Sequence, residues 1–439
     1  MRKTATGIVT VLAAGLLFLC TALPAAAFTV DFHGKACTGV MSASDAYLLG
    51  GKDTNDSTTI GVGKFRFRAE VGTDDGRAKM VYGFETGANN FGDSDSWKYS
   101  GDSVDFENRF AYIQLNVPGM NDQVMGRAGL QKTGVNHWVW TETAAGVTLH
   151  GKGGVNWSAG WFRGLEEGFG EDDAAETDFY MIKGDFKPGE NITIGGFALY
   201  GDDFERKNTL TDEDGDPRQP ALREGSEQYW MGLTGNIDGP IFASGDLIYQ
   251  GGDIGEIDDI GRDADLDVSA WLANLIVGAR VSDNAKVSVQ GLYVSGDDDD
   301  TDGDMDAFQS VDADVKVGQI FFKDSLAASL DRFVDDQFGY TMPAPLRNKG
   351  LMTFAVDGEI QLDAKNSLRG AVRYLETAEK SLAGEDELGY EFDLWYAYKY
   401  NDNLTLKLEG AYLISGDLAE EMFDDDDVYQ VAAGMVFAF

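Results

Sequence analysis

The chain ends on the stretch YQVAAGMVFAF, residues 429–439, in which apolar residues alternate with small or mildly polar ones. If this stretch is a β-strand, every second residue from Tyr429 to Phe439 falls on one apolar face. The ends of soluble domains usually fray, whereas this end stays strand-like to its last residue. We therefore expect an apolar environment to cover one face of a terminal strand.

The same alternation recurs along the chain in segments of about 9–12 residues, which is the length of a tilted strand that crosses a bilayer. In residues 64–71, phenylalanines alternate with basic residues. In residues 390–400, aromatic and aliphatic residues alternate with Glu391, Asp393 and Lys399. Strands with one apolar and one polar face are typical of a transmembrane barrel with a polar interior.

The connections between these segments alternate between short turns and long acidic loops, as they do in membrane barrels. Eight turns and nine loops join eighteen strands and place both termini on the side of the turns. The sequence thus predicts an all-β, antiparallel, up-and-down transmembrane β-barrel. Sixteen strands stays an alternative, because residues 297–347 contain a further alternating stretch, VDADVKV, and a stretch with helical character, SLAASLDRFVDDQF.

The first residues predict export from the cytoplasm. Arg2 and Lys3 precede an apolar stretch at 8–23, and an A-x-A cleavage pattern follows at 25–27. We expect residues 1–27 to be a cleaved signal peptide and residues 28–439 to form the barrel domain. Only Cys37 then remains, so no disulfide can form within the chain.

Composition argues against two classes of function. The formal charge of −40, from 75 acidic and 35 basic residues, disfavours binding to nucleic acid. The three histidines are scattered and match no catalytic motif, so we expect no enzymatic activity and no cofactor.

Two adjacent segments and the final strand resemble those of Gram-negative outer-membrane porins. ENRFAYIQLNVPG, residues 107–119, and DQVMGRAGLQ, residues 122–131, are similar to the pair of strands that precedes the constriction loop of trimeric general porins. The terminal aromatic residue resembles the assembly signal of those proteins. In size and acidic loops the chain looks most like the porins of Desulfovibrio-like sulfate reducers.

The resemblance implies a water-filled channel through which small hydrophilic solutes and ions diffuse passively. It further implies a homotrimer in the outer membrane, in contact with lipid and lipopolysaccharide, and a third loop that folds into the barrel. Two alternatives stay open: a solute-specific channel, which could select anions, and a plugged barrel with a structural or adhesive role.

Six residues are candidates for the pore lining or its constriction. Alternation places three basic residues on one inner wall and adds a fourth from a neighbouring strand, although a basic patch on a soluble sheet is the alternative. The direction of Arg109 is open, because alternation points it outward while the resemblance points it inward. A bulge in the strand would reconcile the two. The resemblance implies that Glu142, in the loop 131–146, faces the basic residues across the pore. The alternative is that this loop is an ordinary external one. In this order, the candidates are Lys64, Arg66, Arg68, Arg127, Arg109 and Glu142.

An acidic loop also suggests a weak metal site. Asp298, Asp300 and Asp302 have the spacing of the first ligands of an EF-hand, but Gln309 stands where the bidentate glutamate should be. We expect at most loose binding of Ca²⁺ or Mg²⁺ by these loops. A solvated, self-repelling loop is the alternative.

Overall fold

The computed structural model describes most of the barrel and part of the loops. The described residues are 28–44, 58–91, 106–166, 176–202, 226–254, 266–298, 303–313, 315–321, 326, 338–339, 342, 346–381, 384–423 and 427–439. The expected signal peptide, residues 1–27, lies outside them and stays a prediction.

Eighteen antiparallel strands form a closed barrel wall in which each strand pairs with its neighbours in sequence and the last pairs with the first. The strands are β1 Phe28–Ala43, β2 Thr58–Thr73, β3 Ala78–Asn90, β4 Phe106–Asn116, β5 Val124–Lys132, β6 Thr143–Gly151, β7 Val155–Glu166, β8 Glu176–Gly189, β9 Ile192–Asp202, β10 Gln228–Ile237, β11 Ile241–Ile254, β12 Leu266–Ser282, β13 Ala285–Val294, β14 Leu351–Gln361, β15 Asn366–Glu376, β16 Glu387–Lys399, β17 Leu404–Ser415 and β18 Val428–Ala438.

The alternation of polarity follows the two faces of this wall. Large apolar side chains are exposed on the outside, for example Leu233 at 66%, Leu275 at 57% and Leu408 at 52%. On the inside of β16, Glu391 is 0% exposed and Asp393 is 5% exposed. An apolar belt of this kind on a closed barrel is what a lipid bilayer requires.

The C-terminal strand closes the barrel. The backbone N and O of Phe439 exchange hydrogen bonds of 3.0 and 2.9 Å with the backbone of Gly34 on β1. The Phe439 ring lies over Gly34, where a Cβ atom would come within 2.3 Å of the ring. The apolar face of residues 429–439 is therefore part of the outer face of the wall. The last residue, Phe439, bonds the C-terminal strand to β1.

Deletion of Phe439 is expected to reduce assembly strongly, although the ring is half exposed. The deletion removes the two hydrogen bonds between Phe439 and Gly34 at one end of the seam. It leaves the backbone groups of Gly34 without these partners, and an unpaired backbone group costs several kcal/mol in hydrocarbon. The yield of heat-modifiable barrel in outer-membrane fractions measures the effect, with Tyr400→Ala at an exposed turn as the control. Normal yield of the truncated chain would contradict this role.

The expected alternation of turns and loops is confirmed, and so is the count of eighteen strands. The stretch VDADVKV is not a wall strand, because described residues 311–313 and 315–317 lie inside the barrel. A two-residue strand, Asp304–Met305, pairs in parallel with β12 beside the wall. The stretch with helical character falls largely outside the described residues.

One short helix, α1 at Asp417–Phe423, lies in the connection between β17 and β18, for which the alternation of turns and loops predicts a long acidic loop. Its Leu418 and Met422 pack into the main apolar cluster. Within the described residues, no helix is both long and apolar enough to cross a membrane.

The half of the barrel nearest the long loops, here called the loop side, is filled by apolar side chains. Trp230, Ile248 and Leu413 project into it from the wall and meet Trp138 and Phe308 from the loops. The opposite half, here called the turn side, is lined mainly by polar side chains. Any route through the barrel must therefore pass beside the apolar cluster.

Candidate functional site: the barrel interior

The third long loop folds into the barrel. Residues 133–142, the first inner loop, bring Trp138 to the centre of the apolar cluster, where it is 2% exposed. Asp246 on β11 holds the tip: its carboxylate accepts hydrogen bonds from Asn136 Nδ2 at 2.9 Å and from Trp138 Nε1 at 3.1 Å. This is the inward fold that the resemblance to porins implies.

A second stretch enters the barrel from the long loop between β13 and β14. Residues 303–313 and 315–321, the second inner segment, pack Phe308, Val315 and Phe321 into the same cluster. The two insertions are joined: Val311 N donates to Val139 O at 2.8 Å, and Ser310 Oγ donates to Trp138 O at 2.8 Å. Together they narrow the interior of the barrel.

Three of the expected basic residues converge on one buried carboxylate. Glu85 on β3 is 0% exposed and lies 2.7 Å from Lys64 Nζ and 3.1 Å from Arg109 Nη1. Arg66 Nε also contacts it. Alternation along β2 and β3 places Lys64, Arg66 and Glu85 on the inside, and the three cations outnumber the Glu85 carboxylate that they share.

The structure shows why alternation and the resemblance disagree about the direction of Arg109. Ile113 and Leu115 face outward, as alternation requires. The pairing of β3 with β4 shifts register where Gly83 opposes Phe110 and Phe84 opposes Asn108. This bulge leaves Arg109 out of the ladder and lets its side chain reach Glu85 inside.

Arg68 belongs to a separate cluster nearer the turn side. Its Nε lies 3.0 Å from Glu70, which also binds Lys79 at 2.6 Å and lies 3.9 Å from His33. The expected ladder of Lys64, Arg66 and Arg68 is therefore divided between two carboxylates.

Arg127 lies in a different, strongly basic cavity of about 470 Å³ between β5, β6, β8 and the first inner loop. Its Nε donates to Gln114 Oε1 at 3.0 Å, and its guanidinium lies 5.5 Å from the centre of the Tyr112 ring. Lys132 and Lys183 share the cavity, and none of the described residues that line it is an Asp or Glu. Such a lining attracts anions.

Two further cavities adjoin this one around the inner loop. One of about 580 Å³ shares His150 and Lys183 with it and extends to Lys152 on the turn side. The other, of about 360 Å³, shares His137 and is lined by Arg369 and Arg373 together with Asp246. Desolvation of the ring lowers the pKa of His137, although the nearby Asp246 carboxylate acts in the opposite direction. The basic cavity therefore has two neighbouring cavities around the first inner loop.

The structure places Glu142 at the base of the first inner loop. Its carboxylate accepts a hydrogen bond of 3.2 Å from the backbone N of Thr143. Asp246 of the wall, and not Glu142, is the acid that meets the tip of the loop. A position of Glu142 opposite the arginines stays a prediction.

The suggested metal ligands lie at the edge of the described structure. Asp298 is exposed, while Asp300 and Asp302 fall outside the described residues. Among the residues that the structure describes, no three His, Cys, Asp or Glu side chains are grouped as metal ligands. Loose Ca²⁺ or Mg²⁺ binding stays a prediction.

Sequence reasoning missed Lys183, Lys132 and Asp246. Lys183 lies between Ile182 and Gly184 on β8, and Ile182 is exposed on the outer face. The same alternation that selected Lys64 could therefore have placed Lys183 inside. The role of Asp246 had no comparable signal, because its partners lie 108 and 110 residues away in sequence.

Solved structures share this architecture over almost the whole chain. OccK8 (OprE) of Pseudomonas aeruginosa is 13% identical, with a TM-score of 0.55 over 93% of this chain and 98% of that one. A BenF-like porin from Pseudomonas fluorescens Pf-5 is 10% identical, with a TM-score of 0.55 and the same coverage. This chain has the fold of a porin.

OccAB4 of Acinetobacter baumannii is similar to the same extent, with 9% identity and a TM-score of 0.56 over 95% of this chain and 100% of that one. The sequence matches no protein-family model, and no curated protein is significantly similar to it. At these identities the likeness establishes the fold, and the function has to be argued from the interior.

Proposed function

We propose that this protein is an outer-membrane channel that lets small hydrophilic solutes and ions diffuse passively and prefers anions. Two features support a membrane channel: the exposed apolar belt of the closed barrel and the adjoining cavities with polar and basic linings inside it. By analogy with outer-membrane barrels, the long loops face the exterior and the turns face the periplasm.

The basic cavity carries the preference for anions. Arg127, Lys132 and Lys183 line a space of about 470 Å³ without a described carboxylate in its lining. Charges in a narrow, poorly hydrated space interact more strongly than charges in open water. The charges of Arg127, Lys132 and Lys183 therefore affect ion preference more than the charges of the acidic loops, which are screened over about 8 Å at physiological salt.

A plugged barrel with a structural role is the second candidate. The apolar cluster that joins both insertions to the wall on the loop side favours it. Against it, adjoining cavities lie beside the first inner loop and reach Lys152 on the turn side. The two candidates differ in a single measurable property, the passage of ions.

Single-channel recording in planar bilayers tests the proposal. We expect discrete conductance steps, and a reversal potential in a KCl gradient near 1 M that indicates anion preference, because salt at that concentration screens the loops to about 3 Å. Succinate should reduce the current saturably, whereas neutral succinamide should not. Absence of any conductance would support the plugged barrel, and equal effects of the two solutes would refute the anion preference.

The sequence resemblance to the trimeric general porins of sulfate reducers adds an expectation about assembly. A homotrimer in contact with lipid and lipopolysaccharide stays a prediction from the resemblance.

A further inference from the structure

We propose that Glu391, Asp393 and Glu409 form an anchor that holds the second inner segment against the wall and so sets the limiting cross-section of the channel. The inference rests on the proposed channel function, and it assigns to these acids a positioning role. All three project inward from the adjacent strands β16 and β17 and are almost completely buried.

The anchor binds backbone N–H groups. Glu391 accepts hydrogen bonds from Ile320 N at 2.8 Å and Phe321 N at 3.4 Å, and Asp393 accepts one from Gln319 N at 3.3 Å. The Gln319 side chain donates to Gly410 O at 2.9 Å. A buried segment outside a sheet needs acceptors for its N–H groups, and here wall carboxylates supply them.

Gly318 makes this close approach feasible. A Cβ atom at position 318 would lie 2.5 Å from Glu391 Oε1. Real Cβ atoms essentially never come so close, so any side chain there would displace the Glu391 carboxylate or the segment. Glycine at position 318 therefore leaves the space that the Glu391 carboxylate occupies.

A second contact lies further along the same loop. The backbone N of Leu326 donates to Glu409 Oε2. The Leu326 side chain packs with Met41 and Ala432 in a separate buried cluster. It also lies against Gly434 of β18, where a Cβ would come within 2.5 Å of Leu326 Cδ2. The insertion is thus fixed at two places, one polar and one apolar.

Glu391 differs from Asp393 and Glu409 in that it has no basic partner among the described residues. Arg373 pairs with Asp393 at 3.1 Å, and Lys407 pairs with Glu409 at 3.3 Å. Within the described part of the chain, no Lys or Arg lies within salt-bridge distance of Glu391. Burying a carboxyl group without a cation is costly. Glu391 is stabilised there by the backbone N–H groups of Ile320 and Phe321 and by a hydrogen bond with the neighbouring Asp393 side chain.

Removal of the anchor should widen the channel. We expect Glu391→Leu to raise single-channel conductance about twofold or more, because flow through a water-filled pore depends on its radius. Liposome swelling should show entry of solutes that the wild type excludes. Gly318→Ala should act in the same direction with a smaller effect. Glu359→Gln is the matched control, since Glu359 is a partly exposed inner acid paired with Lys286 at 2.8 Å.

A cysteine pair tests whether release of the segment causes the change. Leu326→Cys and Ala432→Cys, placed in a Cys37→Ala background, join two members of one buried cluster. In the Glu391→Leu variant, oxidation of this pair should restore the smaller conductance, and reduction should reverse it. If Glu391→Leu fails to assemble, Glu391→Gln, which keeps one acceptor oxygen, should give a smaller rise that the same disulfide abolishes.

The outcomes separate the two proposals. A wild-type protein without conductance overturns the channel function itself. A conducting wild type with anchor variants that match Glu359→Gln in conductance and size limit overturns the anchor. A rise in conductance that the disulfide does not reverse also overturns it.

Discussion

Replacing both Arg127 and Lys132 by glutamine is expected to shift the ion preference of the channel toward cations by about fivefold or more. A unit charge at 4 Å is worth about 1 kcal/mol in bulk water and about 4 kcal/mol at an effective dielectric near 20. Even the lower value corresponds to about a fivefold change in relative permeability. Lys183 is left unchanged because its Nζ contacts Gly134 O of the inner loop.

The reversal potential under a KCl gradient measures this change. Arg280→Gln with Lys286→Gln is the matched control, since it removes two basic side chains near the turns, where they pair with Asp238 and Glu359. If the control shifts the reversal potential as much as the cavity variant does, net charge decides selectivity and the assignment of the basic cavity is wrong.

An arginine in place of Leu394 should lower the free energy of unfolding by about 2–4 kcal/mol, the cost of a basic residue at the lipid midplane. Leu394 is 52% exposed on the outer face of β16 and lies between Gly370 and Gly410 on the adjoining strands. No described neighbour in these pairs offers a carboxylate, so the new charge would have to reach the interface.

Ala397→Arg is the control, because Ala397 lies on the same strand but lines an inner cavity of about 240 Å³. It should cost less than about 1 kcal/mol, since a charge on the inner wall stays in water. Urea titration of barrel folded into lipid vesicles measures both variants. Equal losses would show that the outward assignment of Leu394 is wrong.

Asp393 shows where sequence alternation stops being informative. Alternation places it inside correctly, and from that alone it would be expected to tolerate substitution in a watery channel. The structure instead buries it between Arg373 and the second inner segment. Alternation reports which face of a strand a residue occupies and carries no information about what covers that face.

The barrel itself was predictable because strand polarity and turn length are local properties of the sequence. The insertions were only half predictable. The resemblance to porins pointed to the first inner loop, whereas the sequence of residues 311–317 alternates like a strand although residues 311–313 and 315–317 lie in the interior. Arg109 shows a further limit, since a single bulge reverses the direction that counting from Ile113 assigns to it.

The seam between β1 and β18 has a consequence for how the chain folds. Every other pairing between wall strands joins strands that follow each other in sequence, so most hairpins can form from nearby segments at modest entropic cost. The seam alone joins opposite ends of the domain, as in the pairing of Lys35 with Ala438. Until it forms, the sheet has two free edges that could pair with another chain. Closure is therefore the step at which a growing sheet that can still aggregate becomes a finished barrel.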